Sequence, residues 1–141
     1  MKETNDLLSR LKSVDNLESL EKYLADIEAQ YPSSFSEYMA DFLKQKGIST
    51  TELIKRSKIE RTYCYQILSG RKNPSREKII AMALASKMSF EETQRALEIA
   101  RVGVLYVKSK RDSVIIYALN NHMNILDTNS LLVQFGETEL N

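Results

Sequence analysis

A single cysteine, Cys64, rules out a disulfide within this chain and any metal site built on several thiolates. One histidine, His122, likewise rules out a histidine pair as catalyst or a multi-histidine metal site. Only 2 prolines and 4 glycines interrupt 141 residues, and they fall between stretches of helical periodicity, so the pattern predicts helices joined by short turns. Nowhere do about eighteen apolar residues run together, so no membrane partner is expected. Met1 to Lys12 is polar and charged, without the basic-then-apolar order of a secretory signal, and the expected location is the cytoplasm. Glycine-rich phosphate loops, metal-spaced carboxylates and nucleophile elbows are missing too, so the chain is not expected to be an enzyme or to need a cofactor.

What is present is an uneven charge. The whole chain carries +1, but Leu43 to Ile80 holds ten Lys or Arg against three Glu, a local +7, while Met1 to Gln30 is −3. A concentrated positive segment fits a surface that neutralises phosphates and releases their counterions. A solvated, charged helix face fits it as well.

Helical signals divide the chain into three expected parts. Residues 1–32 read as a helical hairpin: Leu7, Leu8 and Leu11 form one stripe, Leu17, Leu20, Leu24 and Ile27 another, with Asp15 and Glu18 as the start signal between them and the end near Pro32. In residues 33–102, Ser-x-x-Glu starts occur at Ser34, Ser49 and Ser89, Ser75 is a further cap, and Gly47 and Gly70 are stops. The core candidates include Met39, Phe42, Leu43, Ile79, Met82, Ala83, Leu84, Ala96 and Leu97. Val102 to Val107 reads as coil or irregular helix. Residues 103–141 form a helical extension starting at Ser109 with Asp112 and ending at Gly136. Core packing would use its apolar residues, but Ile116, Tyr117, Leu131 and Leu132 also qualify for a self-complementary patch.

The stretch from Ile48 to Ser75, ISTTELIKRSKIERTYCYQILSGRKNPS, resembles the lambda repressor and Cro-like (XRE) family of helix-turn-helix domains. Leu53 stands where that family keeps a buried leucine in its first motif helix. Tyr63, Cys64 and Ile67 fit its recognition helix, expected from about Arg61 to Leu68. Gly70, Arg71, Lys72, Asn73, Pro74 and Ser75 match its glycine, basic pair, Asn-Pro and capping serine. The chain departs from the family at Ile54, where a small residue is usual, and at Lys58, where glycine is common and a left-handed backbone is therefore expected. Glu60 is a weaker helix cap than Ser or Thr.

The resemblance, taken over Phe35 to Ala100, implies an all-α fold with a five-helix lambda repressor-like domain and helical extensions at both ends. It also implies a sequence-specific transcriptional regulator whose partner is double-stranded DNA, read as a homodimer. The chemistry of the motif agrees. With Leu53, Ile54, Cys64 and Ile67 turned inward, Arg61, Thr62, Tyr65 and Gln66 face out: Arg61 suits guanine, Gln66 adenine, and Thr62 and Tyr65 a methyl or a phosphate. Ser49 and Thr50 at one helix start, and Arg71 and Lys72 after Gly70, suit phosphates. Merely exposed polar residues would give the same pattern. The competing function is a protein-interaction adaptor or antitoxin-like partner on the same fold. Cys64 reads as a small buried thiol, and His122 as a surface residue near a helix end.

Overall fold

The computed structural model describes residues 2–30 and 34–141, with side chains over 5–28 and 34–141. Among these residues there are nine helices and no strand, an all-α architecture, and no helix is long and apolar enough to cross a membrane. The chain divides into two units, Met1–Ser33 and Ser34–Asn141.

The first unit holds α1 (Lys2–Lys12) and α2 (Leu17–Gln30). Arg10 joins them, paired with Asp26 and with its guanidinium 5.3 Å from the Tyr23 ring centre. The start of α2 is set by Asn16 rather than Asp15: the Asn16 side-chain oxygen accepts the Ser19 N–H at 2.7 Å, while Asp15 accepts from the Asn16 amide. Asn caps as well as Asp, and here the chain enters the helix one residue later than the Asp15–Glu18 spacing suggests. Leu7, Leu20 and Ile27 are half-buried, but Leu8, Leu11, Leu17 and Leu24 stay exposed. The expected hairpin end at Pro32 lies outside the described residues.

The second unit contains α3 (Phe35–Lys46), α4 (Thr50–Ser57), α5 (Arg61–Leu68), α6 (Arg76–Ala85), α7 (Phe90–Ile99), α8 (Lys110–Asn120) and α9 (Ile125–Gln134). Ser34, Ser49, Ser75, Ser89 and Ser109 each accept the N–H three residues on, and Ser89 with Glu92 completes a reciprocal capping box. Asn124 caps α9 in the same way. Gly47 ends α3 at φ 67°. These caps fix where each short helix begins; packing supplies most of their stability, because helices of eight to twelve residues are marginal alone.

The packing centres on α6. Its residues from Ile79 to Ala85 are all buried, as a helix apolar on every side must be, and it touches α4, α7, α8 and α9. α3 packs on α5 and α7, and the Tyr38 hydroxyl donates to the Glu92 carbonyl at 3.0 Å. α8 and α9 pack on each other and on α6. Ile115, Ala118, Leu119 and Leu132 thereby enter the same core as Met39, Leu53 and Ile79.

Leu132 corrects one expectation. It is 0 % exposed and so is core, not a member of a surface patch, while Ile116 and Leu131 are half-buried and Tyr117 is 56 % exposed. Three apolar residues in a row, Leu131, Leu132 and Val133, do not reveal in sequence which one faces inward.

Residues 101–109 are turns and coil, pinned by polar side chains from elsewhere. Arg76 donates to the carbonyls of Gly103 and Val104 at 2.7 and 3.0 Å and to the Asp112 carboxylate at 2.7 Å. Asp112 also accepts the Tyr106 N–H, and the Gln94 side-chain amide brackets Leu105 through both its N–H and its carbonyl. Arg111 forms a two-pronged bond to Glu77 at 3.0 and 2.6 Å and reaches the carbonyls of Thr138 and Glu139.

Candidate nucleic-acid interface

α4 and α5 are joined by three residues whose geometry follows from their side chains. Lys58 has φ 60° and ψ 17°, the left-handed conformation that the resemblance implies at a place where glycine is common. Ser57, buried, accepts the Ile59 N–H at 3.3 Å, and Ile59 plugs into the core at 4 % exposure. The chain is thus anchored immediately before α5 starts.

Glu60 then caps α5 more fully than its residue type suggests. Its two carboxylate oxygens accept the N–H groups of Thr62 and Tyr63 at 3.0 and 2.9 Å, satisfying two of the four donors a helix start leaves open. The long side chain folds back over the helix end, which the usual preference for Ser or Thr does not anticipate. The Tyr63 and then the Thr62 N–H bonds hold the Glu60 carboxyl below its ordinary pKa.

The two faces of α5 differ sharply. Cys64 and Ile67 are buried at 0 % and 1 % exposure against the core that contains Leu53, while Ile54, Tyr63 and Leu68 are half-buried beside it. Burial raises the Cys64 thiol above its ordinary pKa and so disfavours the thiolate. On the opposite side Arg61, Thr62 and Tyr65 are exposed and Gln66 is half-buried. These four line one open concavity of about 420 Å³ together with Ser69 and Arg71. The Arg61 guanidinium lies 5.6 Å from the Tyr65 ring centre, one helical turn on, a cation–π contact that orients both side chains.

Arg71 reaches this face because the chain tightens after α5. The N–H groups of Arg71 and Lys72 both donate to the Gln66 carbonyl, at 3.0 and 3.2 Å. Gly70 turns the chain with φ 83°, and an added Cβ there would lie 3.3 Å from Ser36 Oγ.

The other expected phosphate contacts are placed elsewhere. Lys72 is exposed but does not line the concavity. Ser49 is exposed and its hydroxyl oxygen accepts the Glu52 N–H at 3.1 Å, leaving its hydrogen free to donate; Thr50 is half-buried. Of the ten basic residues between Leu43 and Ile80, Lys44, Lys46, Lys55, Arg56, Lys58, Arg61, Arg71 and Lys72 are exposed. Arg76 instead serves the 103–106 connection, and Arg56 pairs with Glu52 at 3.0 Å. The sequence offers no local sign of Arg76's role, because its partners lie 27 to 36 residues away.

A second open concavity, of about 510 Å³, lies between α8 and α9 and is lined by Lys110, Ser113, Val114, Tyr117, Leu131 and Phe135. It is largely apolar, and Phe135 is 46 % exposed.

No family model, curated protein or solved structure matches the chain.

Proposed function

We propose that the protein is a sequence-specific, double-stranded-DNA-binding transcriptional regulator of the lambda repressor and Cro-like kind, with α3 to α7 as its five-helix domain and α5 laid in the major groove. One observation carries this reading: Arg61, Thr62, Tyr65 and Gln66 share the outer face of α5, with Arg71 beside them, while Cys64 and Ile67 fix the inner face. A helix used in this way must offer donors and acceptors to base edges on one side and be locked to a scaffold on the other. Arg61 matches guanine O6 and N7, and Gln66 matches adenine N6 and N7. Arg71, Lys72 and Ser49 supply phosphate contacts that set register without reading sequence.

The protein acts as a homodimer in this reading. One recognition helix touches only a few base pairs, too few to single out a site in a genome, whereas two copies read half-sites about 34–36 Å apart. The apolar concavity between α8 and α9 is the surface a second copy covers. The same concavity favours the competing reading, an adaptor or antitoxin-like protein whose partner is another polypeptide.

An electrophoretic shift with random genomic fragments at two salt concentrations separates the two. Retarded fragments whose affinity falls steeply with salt fit the regulator. No retardation at low salt excludes it and leaves the adaptor.

A further inference from the structure

We infer that Glu60 is a base-reading residue as well as a helix cap, and that it selects cytosine next to the bases read from α5; this rests on the DNA-binding reading above. Glu60 is exposed at the start of α5, directly before Arg61 and Thr62. Each carboxylate oxygen accepts one backbone N–H, from Thr62 and from Tyr63, which fixes the direction of the group and leaves lone pairs on both oxygens. None of the ion pairs among the described residues involves it, and the neighbouring Arg61 guanidinium lies 5.6 Å from the Tyr65 ring centre.

A helix start otherwise offers bare N–H groups and attracts phosphate. Here the carboxylate occupies two of those donors and reverses the sign, so the DNA group that approaches must be a donor. In the major groove the donors are the amino groups of cytosine N4 and adenine N6; guanine O6 and N7, thymine O4 and the phosphates are acceptors and are repelled. Adenine carries its N7 acceptor beside the amino group, which an acceptor-only carboxylate cannot satisfy. Cytosine has no such neighbour. The order of preference at this position is therefore cytosine, then adenine, then guanine and thymine.

The test is selection from a random duplex library with the wild-type chain, Glu60→Thr and Glu60→Gln, followed by competition binding of duplexes differing at one position. Thr keeps an oxygen for the cap and removes the carboxylate. The expected result is a wild-type motif with cytosine in one column, preferred roughly tenfold over guanine or thymine, a preference that Glu60→Thr loses in that column alone. Glu60→Gln shifts the column to adenine, and carries the test by itself should Glu60→Thr fail to fold. The same motif from all three chains, or a loss spread evenly over every column, overturns the inference while leaving DNA reading intact. A wild-type chain that enriches no sequence overturns both.

Discussion

Lys58 and Gly70 bracket α5, and both turn the chain in the left-handed region, at φ 60° and 83°. A side chain costs about 1–2 kcal/mol there, offset in part by the greater freedom glycine has when unfolded. Lys58→Gly is therefore expected to stabilise the fold by about 0.5–1 kcal/mol. Gly70→Ala should destabilise it by about 1–2 kcal/mol, since the new Cβ also crowds Ser36 Oγ at 3.3 Å. Thermal melts of the two variants check the signs; two shifts in the same direction would refute this account of the turns. Lys58 itself gives no local sign of its left-handed backbone; that expectation comes from the family resemblance, in which glycine is common at this place in the turn. Glu60 is no more legible: its two-oxygen cap depends on a long side chain folding back, and residue preference alone points to a weak cap.

The short helices were legible wherever the signal was local. Ser34, Ser49, Ser75, Ser89 and Ser109 mark helix starts, and the spacing of Cys64 and Ile67 gives the inner face of α5. What joins the helices was not legible. Arg76, Gln94, Arg111 and Asp112 hold connections by bonds to residues far along the chain, and neither periodicity nor capping encodes such partners. Asp112 is the centre of one such joint, 6 % exposed and accepting from both Arg76 and the Tyr106 N–H. Asp112→Ala leaves both donors without their acceptor, at an expected cost of about 1–3 kcal/mol. Denaturant unfolding measures the loss, and hydrogen exchange at the Tyr106 amide should quicken with it. Unchanged exchange at Tyr106 would mean that the connection is held without Asp112.

At the scale of the molecule, α8 and α9 belong to the core of the second unit through Ile115, Ala118, Leu119 and Leu132, and Glu77 with Arg111 ties α6 to α8. Burial alone would raise the Glu77 carboxyl, but the hydrogen bonds and charge of Arg111, the Asn141 N–H and Arg76 outweigh it and lower its pKa. A carboxyl lowered by folding stabilises the native state above its unfolded value of about 4.3, and that contribution fades as pH falls below this through the depressed value. Stability should therefore drop on acidification below about pH 4.3, and Glu77→Gln should flatten that limb of the curve. An equally steep limb in the variant would assign it to other groups. In the proposed homodimer, the surface left open by α8 and α9 is the one a second copy covers. Tyr117→Asp, at an exposed position lining the apolar concavity, should shift sedimentation at micromolar concentration from dimer toward monomer with the helical content kept. A variant as dimeric as the parent would move the interface elsewhere, and a monomeric parent that binds its site tightly would remove it. The most direct test of the central claim is binding of the wild-type chain and an Arg61→Ala, Gln66→Ala double variant to a selected duplex and to a random one, each at about 50 and 200 mM salt. The wild type should prefer the selected duplex by about a thousandfold or more, and the double variant should lose most of that preference while keeping salt-sensitive binding to both duplexes. A wild-type chain without preference, or a double variant that keeps it in full, would contradict the assignment of α5 as the reading helix.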